Sequence, residues 1–165
     1  MSTQNTQQNV TAAMKFSLTE KVLMGIGYYG LVITGAYGIY LQSIIWGLFY
    51  TGFLIFGFFV FLGYCVCSYC PYIYPEYSDC LFPPFGALIK KLYKFRSGPI
   101  SIVDKIGFLI MMIGVVVIPQ YWLLKNYTIL AIFWIFCLPT YVGLIFYECR
   151  RCQHFDCLFN IAKRN

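Results

Sequence analysis

Charged residues are scarce in this sequence and are missing altogether from long parts of it. Only 11% of its residues are charged, against about 25% in a typical soluble domain. From Val22 to Tyr64 there is no Asp, Glu, Lys or Arg. A water-soluble domain of 165 residues would need charged and polar side chains spread along the whole chain. The scarcity therefore excludes a soluble globular protein and predicts an integral membrane protein.

Residues for catalysis and transport are also lacking. His154 is the only histidine, and the apolar stretches have no acid, base or histidine at their centres, where ion and proton pathways usually place one. No glycine-rich phosphate loop and no H-E-x-x-H motif occurs. We therefore assign no catalytic residue and expect a protein that is not an enzyme, pump or transporter. The net positive charge is explained by membrane topology, so no nucleic acid partner is implied.

Apolar and aromatic residues are abundant instead, with 60% hydrophobic residues, 16 Phe and 15 Tyr. As one helix, the uncharged stretch from Val22 to Tyr64 would be about 64 Å long, roughly twice the thickness of the hydrocarbon core. It must therefore fold back on itself, and residues 41–43 are its polar break. The predicted fold is an all-α membrane protein with four transmembrane helices, arranged as two tight hairpins. The predicted spans cover about 22–41, 44–64, 106–124 and 127–147.

The positive charges indicate how these spans are oriented. We divide the chain into a polar tail (1–14), a membrane domain (15–147) that includes the cysteine-rich loop 65–105, and a cysteine-rich C-terminal tail (148–165). Of the 12 Lys and Arg residues, only Lys125 lies in a turn on the opposite side from the tails and that loop. Positive charge marks the cytoplasmic side. We therefore expect both termini and the 65–105 loop to be cytoplasmic or topologically equivalent.

A stripe of small residues runs along the first span. Gly30, Thr34 and Gly38 recur at four-residue spacing, which places them on one face of a helix. Small residues let neighbouring helix backbones approach closely. We interpret this stripe as packing inside the bundle, and the alternative is a docking face for another protein.

Seven of the eight cysteines lie on the predicted cytoplasmic side. Two C-x-x-C pairs stand out, because ligands two to four residues apart on a tight turn can bind one metal ion. The sequence predicts a cysteine-rich cytoplasmic cap stabilised by zinc, which is held by Cys67, Cys70, Cys149 and Cys152. A second site would use Cys65, Cys80, His154 and Cys157.

Other chemistries remain open for these thiols. An iron–sulfur cluster accepts the same four-cysteine ligation. Disulfides would require an oxidising compartment. Lipidation is a further alternative, and Cys65, at the end of a span, suits it best. His154 can also be interpreted as a solvated tail residue.

The second half of the 65–105 loop predicts a short basic amphipathic helix. Its apolar residues recur at helical spacing, and its lysines fall largely on the opposite face. Such a helix lies in the headgroup layer and binds anionic lipid, and the alternative is a docking surface for an acidic partner. The apolar residues are Phe85, Leu88, Ile89 and Leu92, and the lysines are Lys90, Lys91 and Lys94.

Three functions follow from these features. The leading hypothesis is an accessory or structural subunit of a larger membrane protein complex, whose aromatic helices pack against other subunits. The first alternative is an iron–sulfur electron-transfer subunit. The second is a membrane thiol-disulfide oxidoreductase that uses its two C-x-x-C pairs.

Overall fold

The computed structural model describes residues 16–70, 81 and 85–149, and these residues form helices and no strand. Residues 1–14 and 150–165, which hold the predicted polar tail and most of the C-terminal tail, lie outside the described residues. The helices, in chain order, are α1 (Leu18–Tyr40), α2 (Ile44–Phe56, continued by a π-helix at Gly57–Tyr64), α3 (Phe85–Leu92), α4 (Ile102–Leu123) and α5 (Tyr127–Val142, continued by a π-helix at Gly143–Glu148).

Four helical segments are long and apolar enough to cross a membrane: Leu18–Tyr40, Ile44–Tyr69, Ile102–Leu123 and Tyr127–Tyr147. This confirms the predicted all-helical fold with four such segments. The first and third segments begin four residues before the predicted spans. The predicted spans start where the apolar run of the sequence starts, whereas each helix also includes a capped first turn before that run. The side chain of Ser17 accepts a hydrogen bond from Glu20 N–H at 3.2 Å, and that of Ser101 accepts one from Asp104 N–H at 3.1 Å. These serine caps start the two helices.

Helix α1 packs against each of the other three spans, α2, α4 and α5. A methyl group at Gly30 would lie 2.6 Å from Phe136 Cδ1 of α5, and one at Gly35 would lie 3.2 Å from Phe133 Cε2. The glycines of α1 therefore let aromatic rings from α5 approach closely: an added methyl group would force the Phe136 ring to shift at Gly30 and would be tightly packed at Gly35. The interpretation of the glycine stripe as packing inside the bundle is confirmed.

The predicted pairing into two tight hairpins is not confirmed. Helix α5 packs more extensively against α1 than against α4, which precedes it in the chain. The turn between α1 and α2 and the turn between α4 and α5 contact each other at the end of the bundle opposite the 65–105 loop. There, Gln42 Nε2 donates a hydrogen bond to Trp122 O at 2.7 Å, and the rings of Trp46 and Trp122 are 5.5 Å apart.

A proline inside α4 creates a polar group that the core must satisfy. Pro119 has no N–H, so the carbonyl of Val115, four residues earlier, loses its helical hydrogen-bond donor. The hydroxyl of Tyr50 on α2 donates to this carbonyl at 2.9 Å, and Tyr50 is 2% exposed. In an apolar environment an unsatisfied carbonyl is costly, so this bond fixes α2 against α4.

Replacing Tyr50 by Phe tests this bond, since Tyr50→Phe removes only the hydroxyl. We expect the free energy of unfolding to fall by about 1–3 kcal/mol, the usual cost of leaving a buried acceptor without a partner. Thermal unfolding in mild detergent measures the change. The control is Tyr37→Phe at an exposed α1 position. Equal stability of the two variants would show that the Tyr50 bond does not stabilise the bundle.

Candidate functional site

Of the cysteines predicted to bind metal, those that the structure describes lie where α2 and α5 end. Both ends change from α- to π-helical geometry at a glycine, Gly57 in α2 and Gly143 in α5. Methionines occupy the space that a side chain would take at each glycine: Met111 of α4 lies against Gly57, and Met24 of α1 against Gly143. The sequence analysis missed this change of geometry.

Cys67 and Cys70 lie on one tight turn directly after the π-helix of α2. Cys67–Tyr69 form a single 3-10 turn, and Cys70 N–H donates to Cys67 O at 3.1 Å. Both cysteines are half-buried, as is Cys149 at the end of α5. The first C-x-x-C pair therefore has the compact backbone that ligands for one ion require.

The predicted metal sites are described only in part. Cys152 of the first set lies outside the described residues, and so do Cys80, His154 and Cys157 of the second. Within the part of the chain that the structure describes, no group of three or more His, Cys, Asp or Glu residues could hold a metal ion. The zinc sites and the cysteine cap therefore stay predictions.

Cys65 faces a different environment from Cys67 and Cys70. It is a free thiol, 7% exposed, and it hydrogen-bonds to the carboxylate of Asp104 in the first turn of α4. A methyl group at Gly107 would lie 3.5 Å from its Sγ. The thiol of Cys65 is therefore packed between α2 and α4.

Asp104 is the centre of a polar cluster that we term the Arg96 cluster, formed by Tyr64, Tyr69, Arg96 and Asp104. The hydroxyl of Tyr69 donates to Asp104 Oδ2 at 2.9 Å. Arg96 Nη1 lies 3.3 Å from the same oxygen, so the guanidinium and the carboxylate form an ion pair. The geometry at Nη1 does not make a hydrogen bond. The guanidinium carbon of Arg96 lies 4.6 Å from the Tyr64 ring centroid and 4.5 Å from that of Tyr69. Each position allows a cation–π interaction.

The backbone reinforces this cluster. Arg96 N–H donates to Ser68 O at 2.9 Å, and the buried Ser68 hydroxyl donates to Tyr64 O. The hydroxyl of Tyr93 donates to Phe59 O in the π-helix at 3.3 Å. The last part of the 65–105 loop is thus bound to the end of α2 before the chain enters α4.

Helix α3 confirms the predicted amphipathic helix and lies against the π-helix of α2. A methyl group at Gly63 would lie 2.6 Å from the buried Ile89 Cδ1, and the rings of Phe85 and Phe58 are 3.8 Å apart. Lys90, Lys91 and Lys94 are all exposed. Within the helix Ile89 is buried, whereas Leu88 and Leu92 are 39% and 53% exposed. The apolar face is therefore buried only in part, and Lys90 and Lys91 are presented outward.

The described arrangement is suited to holding elements together rather than to catalysis. Its described ion pair is partly enclosed by tyrosine rings, and the hydroxyls of Tyr69 and Ser68 donate to protein oxygens. Sequence reasoning missed Arg96 and Tyr69. The seven residues between Arg96 and Asp104 have no periodic pattern that would bring the two charges together.

Comparison with known proteins identifies no relative: no protein-family model, no curated protein and no solved structure matches this chain.

We predict that Arg96→Ala loosens the loop end of the bundle. The substitution leaves Asp104, whose side chain is 8% exposed, without its counter-ion. A fully buried pair costs about 3–5 kcal/mol when broken, but the Arg96 side chain is 34% exposed, so we expect about 1–3 kcal/mol. Thermal unfolding measures the loss.

Two further variants separate charge from geometry. Arg96→Lys keeps the charge but loses the planar group between the two rings, so an intermediate loss is expected. Lys94→Ala removes an exposed cation from the same segment and should leave stability unchanged. If Lys94→Ala destabilises as much as Arg96→Ala, the Arg96 cluster is not what holds the loop.

Proposed function

We propose that this chain is an accessory, structural subunit of a larger membrane protein complex, with both termini and the 65–105 loop on the cytoplasmic face. The observation that carries the proposal is the filled interior of the described bundle. Its largest fully buried side chains include Tyr50, Phe133, Leu31 and Ile39. No charged residue of the four spans lies deeper than a first turn. Such an interior has no polar path for a substrate or ion, so the outer surface is the part available for function.

The outer face of α2 is the surface that we propose for a partner. Ile45, Phe49 and Phe56 are 69%, 70% and 56% exposed, and helical spacing places them on one face with Gly52. No atom lies within 4 Å of the position that a methyl group would take at Gly52. A glycine surrounded by large apolar side chains forms a notch that a transmembrane helix of another subunit can enter.

Gly52→Leu fills this notch and tests the proposed interface. We expect a stoichiometric partner to co-purify with the native chain in mild detergent and to be lost with the variant, because the added side chain blocks close helix approach. The stability of the isolated chain should not fall, since the new side chain meets open space. Partner stoichiometry is measured on native gels and by mass spectrometry.

The matched control is Gly25→Leu in α1, where Tyr29 Cε2 lies 4.0 Å from the position of an added methyl group. This variant should retain the partner. Purification of the native chain as a clean monomer would contradict the subunit proposal, and equal partner loss with both variants would contradict the assignment to α2.

The proposal includes a zinc-stabilised cap held by Cys67, Cys70, Cys149 and Cys152. Its support is the tight turn at Cys67–Cys70, together with the position of Cys149 at the end of α5. In a bundle of four spans these two helix ends lie on one side. Zinc bound there would link α2 to α5 outside the membrane.

Metal analysis of the anaerobically purified chain tests the cap. We expect one or two zinc ions per chain and no colour, with zinc loss in Cys67→Ser and Cys149→Ser because each removes a thiolate ligand. Cys137→Ser, at a buried position inside α5, is the control and should keep its zinc. Iron with acid-labile sulfide would support the electron-transfer alternative instead, and absence of metal would contradict the cap.

A further inference from the structure

An open groove runs along the outside of the bundle between α4 and α5. Its volume is about 400 Å³, within the range of pockets that hold small ligands. Its lining is entirely apolar and includes Leu109, Met112 and Ile113 of α4, and Trp134, Cys137 and Tyr141 of α5. The groove lies apart from the α2 face proposed for a partner subunit, since no α2 residue lines it.

Two kinds of contact set the spacing between α4 and α5 at the groove: a hydrogen bond between the two helices and their packing against α1. The hydroxyl of Tyr141 donates to Met112 O at 2.7 Å, which fixes the distance between the two helices and leaves the hydroxyl engaged. Behind the groove, α4 and α5 both pack against α1 more extensively than against each other. The two helices are therefore positioned by α1, and an apolar space remains between their outer sides.

The depth of the groove corresponds to one leaflet of a bilayer. Among the α4 residues that line the groove, Leu109 is nearest to Lys105 and Val117 is farthest from it. They lie about 6 Å and about 18 Å along the helix from Lys105. Half of the hydrocarbon core is about 15 Å thick. If Lys105 lies at the interface, the groove spans the depth of the acyl chains in the leaflet next to the 65–105 loop.

Lys105 places a positive charge at the end of the groove nearest to the 65–105 loop. It lies four residues before Leu109 and seven before Met112, which places the three residues on one stripe of α4. A helical side chain points toward the helix N-terminus, so the half-buried lysine is directed to the headgroup layer. The neighbouring Asp104 is paired with Arg96 and leaves the charge of Lys105 available.

We propose that the groove binds one acyl chain of an anionic phospholipid whose net negative headgroup is held by Lys105. The proposal rests on the membrane placement proposed above but not on any partner subunit. Bulk lipid is as apolar as the groove, so burial of apolar surface alone does not retain the chain. Retention comes from close packing in the preformed space and from the charge of Lys105.

Native mass spectrometry of the full chain in mild detergent, with added phosphatidylserine or phosphatidylcholine of identical acyl chains, tests the proposal. We expect phosphatidylserine to bind more tightly. Lys105→Gln should reduce phosphatidylserine binding about fivefold and bring it close to that of phosphatidylcholine. Lys94→Gln removes an exposed loop cation and should have a smaller effect.

The acyl-chain contact is tested by a matched pair of tryptophans. Ile113→Trp fills the groove and should abolish tight binding of both lipids, whereas Ile110→Trp adds the same bulk outside the lining and should not. Both isoleucines are 52% exposed, so neither substitution disturbs the core. Equal effects of the two variants, or equal affinity of the native chain for the two lipids, would overturn the proposal.

A photocrosslinker at position 113 in the native membrane separates this site from the subunit proposal. Crosslinking to phospholipid supports the lipid site. Crosslinking to a protein would overturn the lipid site and leave the subunit proposal intact, whereas a monomeric chain that still binds lipid would contradict only the subunit proposal.

Discussion

The contact between the glycines of α1 and the large side chains of α4 and α5 is the interaction on which the rest of the bundle depends. Gly30 and Gly35 admit the rings of Phe136 and Phe133, and Gly38 admits the side chain of Leu123. In a membrane, where neighbouring lipid is equally apolar, such close packing replaces the hydrophobic effect as the force between helices. It packs α4 and α5 against α1, and it leaves the outer sides of α4 and α5 to border a groove.

The second constraint is that backbone polar groups in an apolar environment need partners. Pro119 would leave the Val115 carbonyl unsatisfied, and the hydroxyl of Tyr50 provides its donor. Serine and asparagine caps satisfy N–H groups at the starts of all four spans. The described charged pair, Arg96 and Asp104, lies at the end of the bundle where tyrosine rings partly enclose it. Polar groups therefore fix the ends and two points along the spans, at Tyr50 and Tyr141, and shape complementarity fixes the rest.

These constraints explain why the proposed functions lie on surfaces. An interior filled by aromatic and branched side chains separates the faces from one another, so each can have its own partner. The α2 face with its glycine notch suits a protein helix. The groove between α4 and α5 suits a flexible chain with a charged head, because its lining is apolar and its end nearest to the 65–105 loop has a lysine. The loop end, bound by the Arg96 cluster, is the side on which the predicted zinc cap would form.

The hydrophobic pattern by itself determined the helical class, the four long apolar segments and the amphipathic helix α3. These are local properties, since the length of an uncharged run and the spacing of lysines depend only on neighbouring residues. The close approach at Gly30 and Gly38 was also predictable, because four-residue spacing places both on one face. Helix starts at Leu18 and Ile102 were displaced from the ends of the apolar runs because serine caps, not hydrophobicity, begin a helix.

Only the tertiary structure decided which helices touch and which side chains pair. The packing of α1 against α4 and α5 arises from the fit between its glycines and side chains about 100 residues later in the chain. The bond from Tyr50 to Val115 and the pairing of Arg96 with Asp104 likewise depend on how segments distant in sequence are placed. The same limit applies to the cysteines: their spacing predicts ligand pairs, but whether two pairs meet depends on the packing of α2 and α5. Long-range contacts have no sequence period, and for that physical reason the pattern of residues alone does not reveal them.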